Sequence, residues 1–270
     1  MGRKFILMLI FFLGAAASIG TPLYAGAWAQ QKGHYYTKLT YIYSDANRIF
    51  GNNSPALFED NALYFYGEYG LTNRATLVLS TPFFKHSVNE ANFLRGETSG
   101  YFSGDLELQA KYQFLARPVV ASLLGGAKIP LGYEIADIPP LGNGETDFDA
   151  KLLLGLSLYP VPAYLTGDVG YRFRGGDFVD ELQYNFEAGY TVLNDFLLRF
   201  LINGITSTRS ATGESNLFGF PLSQEKTRLG GGVILLLSPH IDLDVTYLST
   251  TAGENIPKTT EVFVGIAIKR

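Results

Sequence analysis

The chain has 270 residues, a formal net charge of −4 and no cysteine. That charge excludes the basic field a nucleic-acid partner requires, and the missing thiols exclude a disulfide framework or a cysteine metal site. Twenty phenylalanines, seventeen tyrosines and a positive mean hydropathy make the chain apolar for a secreted soluble protein.

Residues 1–29 read as a secretory signal peptide. Arg3 and Lys4 give a positive start, an almost unbroken apolar run covers 5–17, and Ala27-Trp28-Ala29 forms an A-x-A cleavage site before Gln30. Ala25-Gly26-Ala27 is a competing site. The apolar core is shorter than the roughly 20 residues of a spanning helix, and later apolar stretches are interrupted by charges. Residues 30–270 are expected to form one domain.

That domain alternates. Residues 33–44 set Tyr35, Thr37, Leu39, Tyr41 and Tyr43 against His34, Lys38 and Thr40. A loop rich in Asp, Asn, Gly and Pro is expected over 44–61, then a hairpin of 62–71 and 75–84 around Thr72-Asn73, then a loop over 85–103. Residues 104–114 show the pattern most cleanly. Leu106, Leu108, Ala110, Tyr112 and Phe114 alternate with Asp105, Glu107, Gln109, Lys111 and Gln113, a period of two that only a strand can sort onto two faces. In the following strand, 119–130, Leu124 shares the parity of Lys128, which implies either a partly apolar inner face or a bulge.

Alternation resumes, after a Gly/Pro-rich loop over 131–146, in 147–159, 163–173, 181–192, 196–207, 225–237, 241–251 and 261–270. Several of these strands match the roughly 9–11 tilted residues that cross a bilayer, against about 5–6 for an ordinary strand. Connections alternate between long loops and tight turns, and the strands number about twelve, an even count. The expected fold is therefore all-β: an antiparallel up-and-down transmembrane β-barrel in the bacterial outer membrane, with both termini periplasmic. A soluble sandwich also shows period-two strands but gives no reason for loop lengths to alternate. Aromatic residues near strand ends, such as Tyr69, Phe83, Phe114 and Tyr171, suit interfacial girdles.

Several stretches resemble a family of bacterial outer-membrane barrels, the meta-pathway phenol degradation type, many of whose members are named as transporters. The matching runs include Glu68-Tyr69-Gly70-Leu71-Thr72-Asn73-Arg74, Gly126-Ala127-Lys128-Ile129-Pro130-Leu131-Gly132, Leu141-Gly142-Asn143-Gly144 and Gly167-Asp168-Val169-Gly170-Tyr171-Arg172. The resemblance implies an outer-membrane barrel passing small aromatic or hydrophobic compounds, with no catalytic set. The chain departs from such barrels at its end, Ile268-Lys269-Arg270, where an aromatic read by the assembly machinery is usual.

The inner parity carries the candidate functional residues. Glu68, Asp105, Glu107, Lys111, Lys128, Asp149 and Lys151 are expected to line a pore, followed by Asp168, Arg172, Glu187, Arg199, Arg228 and Asp244. Opposite charges fall on neighbouring strands, as with Glu107 and Lys128 or Lys151 and Asp168, so a cross-strand ion-pair lattice filling the lumen is an equal reading. A lipid hydrolase would need a histidine beside a serine, and His86 with Ser87 or Ser103 is the available set. Asp147 and Asp149 share a face, as do Asp242 and Asp244, and either pair could hold Ca²⁺ with loop carbonyls, but solvated or ion-paired carboxylates are the expected reading; Asn143-Gly144-Glu145-Thr146 lacks the Asp spacing of a calcium loop. No catalytic, cofactor or metal site is expected. The reading is a passive channel for small solutes, with outer-membrane lipid, the solute and the barrel assembly machinery as partners. The alternative is a structural or interaction barrel with a plugged lumen and, behind it, the hydrolase.

Overall fold

The computed structural model describes residues 26–50, 55–90, 95–211, 214 and 221–270. Of the expected signal peptide, residues 1–25 lie outside these. Among the described residues there are thirteen strands: β1 (Tyr35–Ile49), β2 (Pro55–Gly70), β3 (Ala75–Asn89), β4 (Gly96–Tyr101), β5 (Gly104–Leu115), β6 (Val120–Leu131) and β7 (Asp147–Ser157), then β8 (Ala163–Phe173), β9 (Glu181–Val192), β10 (Phe196–Ser207), β11 (Glu225–Ser238), β12 (Ile241–Glu254) and β13 (Pro257–Lys269). Each pairs antiparallel with its neighbours, and β1 pairs with both β2 and β13. The ring closes through β2–β3 and β3–β5, leaving β4 as an extra strand outside it. The expected all-β transmembrane barrel of twelve strands is what the chain forms.

Parity decides what each face meets. Along β12, Ile241, Leu243, Val245 and Tyr247 are exposed on the outer face, while Asp242, Asp244, Thr246 and Leu248 are buried on the inner one. The same alternation in the other strands produces an apolar outer belt. Tyr69, Tyr112, Phe114, Tyr190 and Phe196 lie outward near the tight turns, and Phe83, Phe148 and Phe173 toward the long loops. These two ends of the barrel are called the turn end and the loop end below.

Three connections differ from expectation. The loop expected over 44–61 is largely strand, since β1 runs on to Ile49 and β2 starts at Pro55. The loop expected over 85–103 contains the end of β3 and all of β4, and the connection after β12 shrinks to Asn255 and Ile256. The physical reason is visible in the outward residues Asp45, Glu59 and Glu97. Past the apolar belt both faces meet water, so the hydrophobic alternation that marks a strand fades while the ladder continues. There β3 has left β5, with which it pairs only from Ala75 to Ser80, and β4 covers the freed edge from Phe84 to Asn89. The chain reverses from β4 into β5 through Phe102 (φ 51) and Gly104 (φ 143). A Cβ on Gly104 would stand 2.6 Å from Pro82 Cγ, so only glycine fits.

Leu124 is resolved in favour of the apolar inner face. The β5–β6 register runs unshifted from Gly104/Leu131 to Gln113/Ser122, and Leu124 packs inward beside Val120 and Leu153.

The outward assignment predicts that Val245→Lys, mid-strand and 53% exposed, destabilises the barrel by roughly 2–4 kcal/mol. Urea titration of the barrel in lipid vesicles measures this, and an unchanged midpoint would place Val245 away from the lipid.

Candidate functional site in the lumen

The inner face carries an almost closed lattice of charges. Arg172 grips Asp149 with two bonds, Nε to Oδ1 at 2.7 Å and Nη2 to Oδ2 at 2.9 Å, and also donates to Glu107 at 3.0 Å. Across the lumen wall, Arg199 Nη2 donates to both oxygens of Asp244 at 2.8 Å and to Thr246 Oγ1 at 2.6 Å, while Lys38 also binds Asp244. Glu187 takes Arg199 Nη1 at 3.4 Å and the Tyr164 hydroxyl. Arg228 donates to Asn203 and Glu261, each at 2.7 Å, and Lys269 holds Asp242. Such pairs form because a buried charge without a partner is far costlier than a paired one.

Every residue expected on the inner parity is on the inner face. Their pairing differs in one respect. Glu107 stands opposite Lys128 in the register, yet Lys128 Nζ goes to Asp147 at 3.0 Å and Asp105 at 3.4 Å, and Glu107 pairs with Arg172. Lys128 is almost wholly buried, and Asp147 on β7 stands directly opposite it on its other side, so the ammonium takes that carboxylate and leaves Glu107 to the guanidinium. Lys151 and Asp168 are the loose members. They influence each other across β7 and β8 but enter none of the ion pairs among the described residues.

The turn end is occupied by residues 26–31, which enter the barrel and lie along the inner wall. Lys111 Nζ donates to the Gly26 carbonyl at 3.1 Å and to Glu68 at 3.3 Å, and both side chains are about 1% exposed. Ser122 donates to the Ala27 carbonyl, Ala29 N to Gln113 Oε1 at 2.8 Å, and Gln30 N to Thr76 Oγ1 at 2.9 Å. Gln30 Nε2 and the Tyr66 hydroxyl complete the shell of Glu68. Trp28 meets Tyr164 edge to face at 6.5 Å and packs against the cluster of Ala27, Val120 and Leu153. A second cluster, Tyr164, Leu197 and Ile234, also faces inward at this end. Apart from Ala27 and Trp28, named for the cleavage motif, none of these apolar residues is among those singled out from the sequence. Their signal is apolar side chains on the inner parity at Val120, Leu153, Leu197 and Ile234, all near the tight turns.

The loop end is narrowed by residues 132–146, which fold over the inner wall. Tyr133 donates to Asp105 Oδ1 at 2.8 Å and accepts from Gly144 N at 2.9 Å. Lys128 reaches Asn143 Oδ1 at 2.5 Å, and Lys85 reaches the carbonyl of the buried Leu141 at 3.0 Å. Burial, with the Asp105 carboxylate beside it, pushes the Tyr133 phenol well up, so the hydroxyl remains a donor throughout the neutral range.

The residues a hydrolase would need lie on different faces. Ser87 faces inward and bonds to Asp60, and Ser103 donates to the Gly132 carbonyl at 2.6 Å. His86 stands outside, 3.8 Å from Glu97. The register sets it between Asn61 and Ser99, but among the described residues no hydrogen bond joins it to either, and Asn61 is held by Tyr41 and Glu59.

The family model described as "Putative MetA-pathway of phenol degradation" matches residues 39–265, from β1 into β13. The chain belongs to that family. No curated protein sequence matches it. Among solved structures, the COG4313 outer membrane channel from Pseudomonas putida F1 is similar at a TM-score of 0.72 and 19% identity, covering 93% of this chain and 100% of that one. The NanC porin follows at a TM-score of 0.54 and 10% identity, covering 87% and 100%. The translocator domain of the autotransporter NalP from Neisseria meningitidis follows at 0.52 and 8%, covering 88% and 89%. At these identities the likeness concerns the fold of this phenol-degradation family member, and its site rests on its own residues.

Lys111→Met leaves Glu68 buried without its cation, and the expected cost is about 3–5 kcal/mol. Lys111→Met combined with Glu68→Leu is expected to recover much of that loss. Equal destabilisation by the single and double variants in urea titration would show that the pair is not coupled.

Proposed function

We propose that this protein is a bacterial outer-membrane channel through which small solutes, aromatic ones among them, diffuse passively. In this reading the loop end faces outward and both termini lie in the periplasm. The observation that carries it is the division of faces. An apolar belt surrounds an inner face that is polar and charged through the middle of the barrel, an arrangement suited to water and solute inside and lipid outside. The aromatic part of the reading leans on the family, whose description is of phenol degradation. The Pseudomonas putida protein that shares the fold is described as an outer membrane channel, which agrees with this reading.

A second reading has an observation of its own. Residues 26–31 and 132–146 occupy the two ends of the lumen, as a plugged structural barrel requires. What separates the readings is that both obstructions are chain segments lying in the lumen, not side chains built into the wall. A channel can release them, and a permanent plug does not.

Steady conductance is expected from the protein, purified from outer membranes, in planar bilayers. The double variant Tyr133→Phe/Asn143→Ala frees the loop from Asp105 and Lys128, and its current is expected to rise about twofold or more. Liposome swelling with a small aromatic acid is expected to follow the same order. Silence of both proteins in both assays sinks the channel and leaves the plugged barrel.

A further inference from the structure

The inner wall is shaped to residues that the cleavage motif would remove. Gly155 lies on the inner face of β7, where a Cβ would stand 2.5 Å from the Trp28 ring, so the wall is cut back to admit the indole. Ala27 is 0% exposed, and the Gly26 and Ala27 carbonyls accept from Lys111 and Ser122, both deeply buried.

We propose that signal peptidase hydrolyses the bond after Ala25, so that the mature chain begins at Gly26 and residues 26–29 remain in the lumen. Water supplies the hydroxyl of the new Ala25 carboxylate, which departs with the leader, and Gly26 keeps a free ammonium. Small residues at the scissile position allow cuts after Ala25, Ala27 or Ala29. The A-x-A spacing favours the two later ones, whereas only the first leaves residues 26–29 in the folded wall.

A cut after Ala29 removes Trp28, empties the niche at Gly155, and strips Ser122 of its acceptor and Lys111 of one of its two. An empty apolar niche and an unsatisfied buried hydroxyl both destabilise. A cut after Ala27 spares the indole but loses both carbonyls and sets an ammonium at the edge of the apolar layer of Val120 and Leu153. A cut after Ala25 keeps every contact. Its ammonium would lie beside Thr166, against which Gly26 is seated. Glu187 is the cross-strand partner of Thr166, and Asp168 is two residues along the same inner face and outside the ion-pair lattice.

The peptidase acts before the barrel folds, so packing does not direct the cut. The inference is that a wall fitted to residues 26–29 makes sense only if those residues stay in the folded protein.

The test uses the whole precursor, expressed with its leader and recovered from the outer-membrane fraction. Intact mass and N-terminal sequencing are expected to show a start at Gly26, reading Gly-Ala-Trp-Ala. A start at Trp28 or Gln30 overturns the proposal. Trp28 is the single tryptophan of the chain, which gives an independent reading. Tryptophan-selective excitation is expected to yield a blue-shifted emission that moves to the red on urea unfolding, and absence of tryptophan emission overturns the proposal as well. Neither readout depends on whether the lumen conducts.

Discussion

Everything in this structure follows from the fact that a backbone amide facing lipid has no water to bond. Strands within the belt must pair on both edges, so the sheet has to close, and the β1–β13 and β2–β3 ladders close it. Closure fixes parity, because a ring of paired strands has one outer and one inner face, and a one-residue slip would turn a whole strand inside out. Among the described residues the one strand outside the ring, β4, lies beyond the belt, where water can satisfy its free edge. The fold is regular where lipid demands it and irregular where water permits.

Closure then creates a second demand, inside. Charges brought into a narrow lumen lose much of their hydration, and an isolated one is costly. Cross-strand pairing answers this, since inward residues on adjacent strands stand about 4.5–5.5 Å apart at Cβ. Arg172 joins β8 to β7 and β5, and Arg199 joins β10 to β9 and β12. The same charges also hold what enters the lumen. Lys111 and Glu68 receive residues 26–30, while Lys128 and Asp105 receive residues 133–143. The lattice both stiffens the wall and anchors the two segments.

Strand existence, parity and inner polar residues were legible in the sequence because lipid on one side and a polar lumen on the other impose a strict period of two. Tyr112 and Lys111 could be sent to opposite faces from their spacing alone. What was not legible had lost that contrast. The outer ends of β1, β2 and β3 read as loops because water lies on both sides of them. The partner of Lys128 was misread because a register states which backbones are opposed, whereas a flexible ammonium reaches any of several neighbours. The seat of Trp28 in the lumen was hidden because the motif around it is a local signal that says nothing of distant strands. The niche that receives Trp28 is assembled from β6, β7 and β8, residues scattered from Val120 to Tyr164.

The two ends of the lumen are obstructed by different physics. At the turn end, Trp28 and Ala27 sit in an apolar layer, and burial of such side chains stabilises by about 1.5–3 kcal/mol for a large one, whatever the ionic strength. At the loop end, residues 133–143 are held by hydrogen bonds to Asp105, Lys128 and Lys85, charged groups whose grip weakens as ions and water compete for them. A solute bearing its own charge or hydroxyl can replace Asn143 on Lys128 or Tyr133 on Asp105, but it offers nothing to a buried indole. Entry from the loop end is therefore open to competition by polar groups of the solute itself, while passage at the turn end requires residues 26–31 to move as a body.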